Sequence, residues 1–160
     1  CCLYFGLMLT PNGPKVIEYN CRFGDPETQV VLPLLETDFV DIIKAIHAGT
    51  LDQLDIQWKK GCVACVIMAS GGYPKKYATG LPISGLNEKG QLDSAFVYHA
   101  GTRYENGTFL TAGGRVLGVT VAGDTLQQAL DGAYAAVEQI RFEGAHYRKD
   151  IGQRALACGK

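Results

Sequence analysis

The chain has 160 residues, 47% apolar and 19% charged, with a net charge of −1, a globular composition with material for one ordinary domain or two small lobes. The balanced charge and three scattered histidines leave no electrostatic footprint for nucleic acid or an acidic membrane. No apolar run approaches the roughly 20 residues of a membrane span and no charged-then-apolar leader opens the chain, so the expectation is a soluble, cytoplasmic protein. The first residues, Cys1-Cys2-Leu3-Tyr4, already read as strand and lack an initiator Met, which predicts that they continue something longer. Leu3 to Leu9 is an apolar run, Thr10-Pro11-Asn12-Gly13-Pro14 is turn chemistry, and Lys15 to Cys21 is strand-like, together a hairpin. Asp25-Pro26-Glu27 reads as a helix start, with Asp as N-cap and Pro at the first helical position; Pro33 cuts that helix short. Thr37-Asp38 opens a second helix, with Phe39, Ile42, Ile43 and Ile46 at helical spacing and Gly49 closing it.

Between Gly49 and Lys60 the pattern weakens, and a lobe boundary is expected there. Cys62 to Ala69 is a continuous apolar run, the mark of a strand covered on both faces. Ser70 to Pro74 is a loop, and Ala95 to Gly101, Thr108 to Ala112 and Arg115 to Val121 are further strands between glycine-rich turns. Asp124-Thr125-Leu126-Gln127 resembles a capping box with Asp as the cap. Leu126, Ala129, Leu130, Ala133, Val137 and Ile140 then mark one face of a helix reaching about Arg141. The fold class is α+β: a strand-helix lobe, then a small, mainly antiparallel β lobe with one packing helix. Six cysteines are even in number, but the chain is too long and too apolar elsewhere to be a disulfide scaffold. Cys62 and Cys65, three apart on a strand, point to opposite faces, so a shared metal is disfavoured and reduced thiols are expected.

The residues with chemical promise are Glu18, Asn20 and Arg22. Alternation along a strand puts them on one face, with Ile17, Tyr19 and Cys21 turned the other way into apolar packing. A carboxylate and a side-chain carbonyl about 7 Å apart along a strand can both give oxygen to a hard cation. Magnesium keeps few protein ligands and completes its shell with water and phosphate oxygens, so one Glu and one Asn suffice. Arg22 adds a planar donor for phosphate or carboxylate, and the positive end of the next helix is expected beside it. The same spacing also describes a solvated strand face with a surface ion pair. Ser70-Gly71-Gly72-Tyr73-Pro74 and Gly113-Gly114-Arg115 invite a phosphate reading, but neither is a P-loop, and structural turns account for both. His99 reads as a satisfied imidazole, and Arg148-Lys149-Asp150 as a charge-paired turn.

Arg22-Phe23-Gly24-Asp25-Pro26-Glu27-Thr28-Gln29 resembles the signature octapeptide of the phosphoribosylamine–glycine ligases, also called glycinamide ribonucleotide synthetases. The preceding Lys15 to Cys21 is similar to that family's metal-binding strand. Met68 to Pro74, His99 to Thr102, Gly113 to Leu117 and Tyr147 to Gly152 resemble further family stretches, in family order. The resemblance implies an ATP-grasp fold, with residues 1–57 the C-terminal part of its catalytic domain and 58–160 the C-terminal β-rich domain. It implies ATP-dependent ligation of glycine to 5-phosphoribosylamine in purine biosynthesis, giving glycinamide ribonucleotide, ADP and phosphate. Carried over by position, Glu18 and Asn20 are ligands of Mg2+ or Mn2+, Arg22 stabilises phosphoryl charge, and Asp25 and Glu27 contact substrate, Asp25 alternatively only capping a helix. The resemblance covers roughly the last two-fifths of such an enzyme, so the partners are ATP, glycine, 5-phosphoribosylamine and upstream domains, and these 160 residues are expected to be inactive alone. Another ATP-grasp carboxylate–amine ligase and a non-catalytic packing module are the alternatives.

Overall fold

The structure, a computed structural model, describes residues 2–158. Its contacts divide the chain into two compact units, Cys1–Lys59 and Lys60–Lys160. In the first unit, β1 (Tyr4–Thr10) and β2 (Gly13–Asn20) form the expected antiparallel hairpin around Pro11-Asn12. Its register runs Thr10 opposite Gly13, Met8 opposite Lys15 and Leu7 opposite Val16, then slips, so that Gly6 faces Glu18 and Tyr4 faces Asn20. Ile17 takes no partner. This bulge inserts one residue into β2 and reverses which face the following residues take.

The next elements are α1 (Thr28–Val31), a single 3-10 turn containing Pro33, and α2 (Phe39–Ala48). Asp38 caps α2, its carboxylate accepting from the Val40 N–H at 2.7 Å, and Gly49 closes it in the left-handed conformation. The apolar side of α2 (Phe39, Ile42, Ile43, Ile46) lines a cavity of about 370 Å³ with Leu51, Ile56 and Trp58. Two expectations fail in this unit. The helix after the octapeptide does not start at Asp25: the peptide bond to Pro26 is cis, residues 25–27 form a turn, and Glu27 is the N-cap residue, without a capping side-chain bond. Ile17 and Tyr19 are not packed either, being 62% and 63% exposed.

The second unit holds two antiparallel three-stranded sheets. One has the order β3 (Cys62–Ala69), β8 (Arg115–Gly123), β5 (Phe96–His99); the other has β4 (Pro82–Ile83), β7 (Thr108–Thr111), β6 (Thr102–Glu105). Helix α3 (Leu126–Val137) lies against β3 and β8, and α4 (Gln153–Cys158) ends the described chain. Val66, Met68, Leu117 and Val119 are buried with Ala129, Ala133, Val137 and Ile140 in one core. Both faces of β3 are covered, Ala64, Val66 and Met68 fully on one, and Cys65 and Ala69 buried beside the half-buried Val63 and Ile67 on the other. The capping box sits one residue later than expected. Thr125 is the cap, its hydroxyl accepting from the Gln128 N–H while the Gln128 side chain accepts from the Thr125 N–H. The helix itself stops at Val137, and Ile140 reaches the core from the following turn.

Candidate active site

The hairpin register decides what stands beside Glu18 and Asn20. Tyr4, Gly6, Glu18 and Asn20 share one face of the strand pair, while Phe5 and Tyr19 share the other, their rings edge to face at 5.1 Å. The Asn20 amide nitrogen donates to Glu18 Oε1 at 3.2 Å, so the two expected ligands do touch. Glu18 lies back across the neighbouring strand: a Cβ added to Gly6 would stand 2.9 Å from its Cγ, and only glycine leaves that seat open. Half a turn of the Asn20 amide would set its oxygen beside Glu18, and a carboxylate with an amide oxygen is a hard-donor pair suited to Mg2+ or Mn2+. Among the described residues no group of three or more His, Cys, Asp or Glu is close enough to hold an ion by itself. A cation at Glu18 and Asn20 would therefore draw its remaining oxygens from water and phosphate, as magnesium does.

Strand alternation does not reach Arg22, because β2 ends at Asn20 and Arg22 sits in a bend. Its guanidinium is exposed and donates to the Phe23 carbonyl at 3.1 Å. The positive helix end expected nearby is also missing. The Thr28 N–H donates to the Gly24 carbonyl at 3.0 Å and the Gln29 N–H to that of Pro26 at 3.2 Å, so the turn consumes the first donors, and α1 is four residues long. The Asp25 carboxylate accepts from the Gln29 amide at 2.8 Å, and the N-cap position is taken by Glu27.

Glu27 is placed more firmly. Its carboxylate lies over Gly24, where an added Cβ would stand 2.1 Å from Oε2, and Oε1 accepts from the Tyr4 hydroxyl at 3.0 Å. That hydrogen bond, helped by desolvation and by the charges of Glu27 and Glu18, holds the Tyr4 phenol above its ordinary range. The sequence reading passed over Tyr4. Counting pairs outward from the turn without a bulge puts Leu3 opposite Asn20, so the signal lay in a register slip that no residue type announces.

Three of the stretches of the second unit singled out by sequence, those beginning at Ser70, His99 and Gly113, meet at one place. Ser70 donates twice, through its hydroxyl to the Gly113 carbonyl and through its backbone N–H to the Gly114 carbonyl, each at 2.8 Å. A Cβ on Gly101 would stand 2.6 Å from the Gly113 Cα, so these glycines serve backbone-to-backbone packing. His99 is satisfied on both ring nitrogens, by Thr102 Oγ1 and the Gly90 carbonyl, each at 2.9 Å. Arg148 forms a bidentate pair with Asp150 at 2.9 and 2.7 Å. Cys21, Cys62 and Cys158 are free thiols.

The chain is similar to known proteins over most of its length. Residues 63–154 match the family described as phosphoribosylglycinamide synthetase, C domain, and residues 1–28 match its ATP-grasp (A) domain. A phosphoribosylamine–glycine ligase of Caldanaerobacter subterraneus is 53% identical over 149 residues, covering 93% of this chain and 35% of that protein. The human trifunctional purine biosynthetic protein adenosine-3 is 49% identical over 156 residues, covering 97% of this chain and 15% of its own. The crystal structure of a phosphoribosylamine–glycine ligase from Thermotoga maritima superposes with a TM-score of 0.77 at 34% identity, over 92% of this chain and 36% of that one. The chain thus spans about a third of the length of the single-enzyme relatives it matches. With the C-domain match alone covering more than half of its residues, the chain belongs to the phosphoribosylglycinamide synthetase family.

Proposed function

We propose that the chain supplies one wall of the active site of an ATP-dependent ligase joining glycine to 5-phosphoribosylamine, in the cytoplasm. In this reading residues 1–57 are the C-terminal part of the ATP-grasp catalytic domain and residues 58–160 its C-terminal β-rich domain. The observation that carries it is the Glu18–Asn20 contact on one face of a strand that leads directly into the octapeptide at Arg22 to Gln29. Glu18 and Asn20 hold Mg2+ or Mn2+, which when bound draws charge from the phosphates of ATP. ATP phosphorylates the glycine carboxylate, and the amine of 5-phosphoribosylamine then displaces phosphate. Arg22 serves as a mobile donor: its one bond, to the neighbouring Phe23 carbonyl, is readily exchanged for a phosphoryl oxygen. Positioning of this kind supplies most of the catalysis in phosphoryl transfer. Asp25 and Glu27 are the candidates for contact with the substrate, which here includes the hydrated metal–nucleotide.

Titration with Mn2+, followed by the loss of its free electron-paramagnetic-resonance signal, tests the reading. The expected result is weak, specific binding that Mg2+ displaces and Glu18→Ala abolishes. Binding unaffected by Glu18→Ala, or no binding at all, favours a packing module without a catalytic role. The 160 residues alone are expected to give no glycinamide ribonucleotide from ATP, glycine and 5-phosphoribosylamine; turnover by them would overturn the one-wall reading.

A further inference from the structure

We infer that Tyr4 is a positioning residue, fixing the Glu27 carboxylate as an acceptor for the water shell of the cation held by Glu18 and Asn20. The inference rests on the metal reading of Glu18 and Asn20 and adds to it a role for two further residues. Three observations meet here. Tyr4 is the cross-strand partner of Asn20, and Asn20 in turn touches Glu18, so the phenol belongs to the same strand face as the ligand pair. The Tyr4 hydroxyl donates to Glu27 Oε1 at 3.0 Å, across 23 residues of sequence, and so ties the octapeptide loop to the hairpin. Both side chains lie over glycines, Glu18 over Gly6 and Glu27 over Gly24, in space that a Cβ at either position would fill.

A hydrated divalent cation needs outer acceptors for the protons of its waters, and carboxylates fixed by a second hydrogen bond provide them with little reorganisation. With one oxygen occupied by Tyr4, Glu27 presents the other as that acceptor. Removing the hydroxyl leaves the ring and its packing in place but releases the carboxylate. Outer-shell partners of this kind change metal affinity by about 10- to 100-fold when lost.

The test uses the 160-residue chain with Mn2+ as the probe, read by electron paramagnetic resonance for affinity and by water-proton relaxation for the number of bound waters. Tyr4→Phe is expected to weaken binding about tenfold, with an unchanged thermal midpoint and an unchanged count of waters on the ion. Glu27→Gln is expected to do the same, and Tyr4→Phe is expected to add nothing in the Glu27→Gln background, because both changes remove one device. Binding in Tyr4→Phe equal to the unmodified chain overturns the inference and leaves the metal reading intact. So do fully multiplicative effects in the double variant, or a gain of one bound water in Glu27→Gln, which would make Glu27 a direct ligand. No Mn2+ binding by the unmodified chain overturns the metal reading and this inference together.

Discussion

Glu18 and Asn20 are an ordinary pair of polar residues until their surroundings are counted. A Cβ at position 6 meets the Glu18 side chain, and the amide of Asn20 already lies against its carboxylate. Gly6→Ala should therefore push Glu18 off its seat and weaken Mn2+ binding severalfold while leaving the second unit's melting unchanged, measurable by the same titration beside circular dichroism. Arg148 and Asp150 show a different kind of residue effect. The bidentate guanidinium holds the Asp150 carboxyl below its usual range. A depressed carboxyl stabilises the fold above its unfolded value, and the effect fades as pH falls through the folded value. Both groups are solvent-exposed, so the contribution to stability is small. Arg148→Ala should move the Asp150 titration upward in a carboxyl-carbon NMR experiment, with almost no change in melting temperature.

Among the elements, β2 shows most clearly how local geometry aims chemistry. Before the bulge, Pro14 and Val16 face the same way as Leu7 and Phe5; after it, Glu18 and Asn20 face the way of Gly6 and Tyr4. Deleting Ile17 should restore regular pairing and keep Glu18 opposite Gly6 and Asn20 opposite Tyr4, so Mn2+ binding should persist, whereas its loss would show that the bulge itself shapes the site. In α3 the capping box satisfies two backbone donors at once. Thr125→Ala should cost about 0.5–2 kcal/mol in chemical denaturation. The sequence pattern located both helices of usable length, since α2 and α3 carry apolar residues at 3.6 spacing. It passed over β4 and β6. Two residues are too short to show a period, and Thr102–Glu105 alternates weakly, although the following Asn106-Gly107, both at positive φ, is a legible hairpin turn.

At the scale of the whole molecule, apolar burial is unevenly shared. The main core draws on the second unit, from Ala64 to Phe142, with nearby residues packed against it. The first unit exposes Leu3, Phe5, Leu7, Leu9, Val16 and Tyr19 on its hairpin. Residues 60–158 expressed alone should fold cooperatively, and Leu117→Ala there should cost about 2–5 kcal/mol. Residues 1–59 alone should bind the dye ANS strongly and melt without a sharp transition, because little of their apolar surface leaves water. Calorimetry on the two pieces checks both statements.

Composition, periodicity and the octapeptide were enough to settle the α+β class, the hairpin, the amphipathic helices and the family, because these depend on neighbours within a few residues of one another. The strand face that carries Glu18 and Asn20 was legible for the same reason: alternation is local. The rest needed the folded chain. Arg22 left the strand, the helix began beyond Asp25 with Glu27 at its N-cap position, and the helix end that was to face the phosphates spent its donors in a turn. Tyr4 joined Glu27 only because one unpaired residue shifted the hairpin register. Hydrogen bonds between residues far apart in sequence are chosen by competition among partners in space, and no single residue's type records which of them wins.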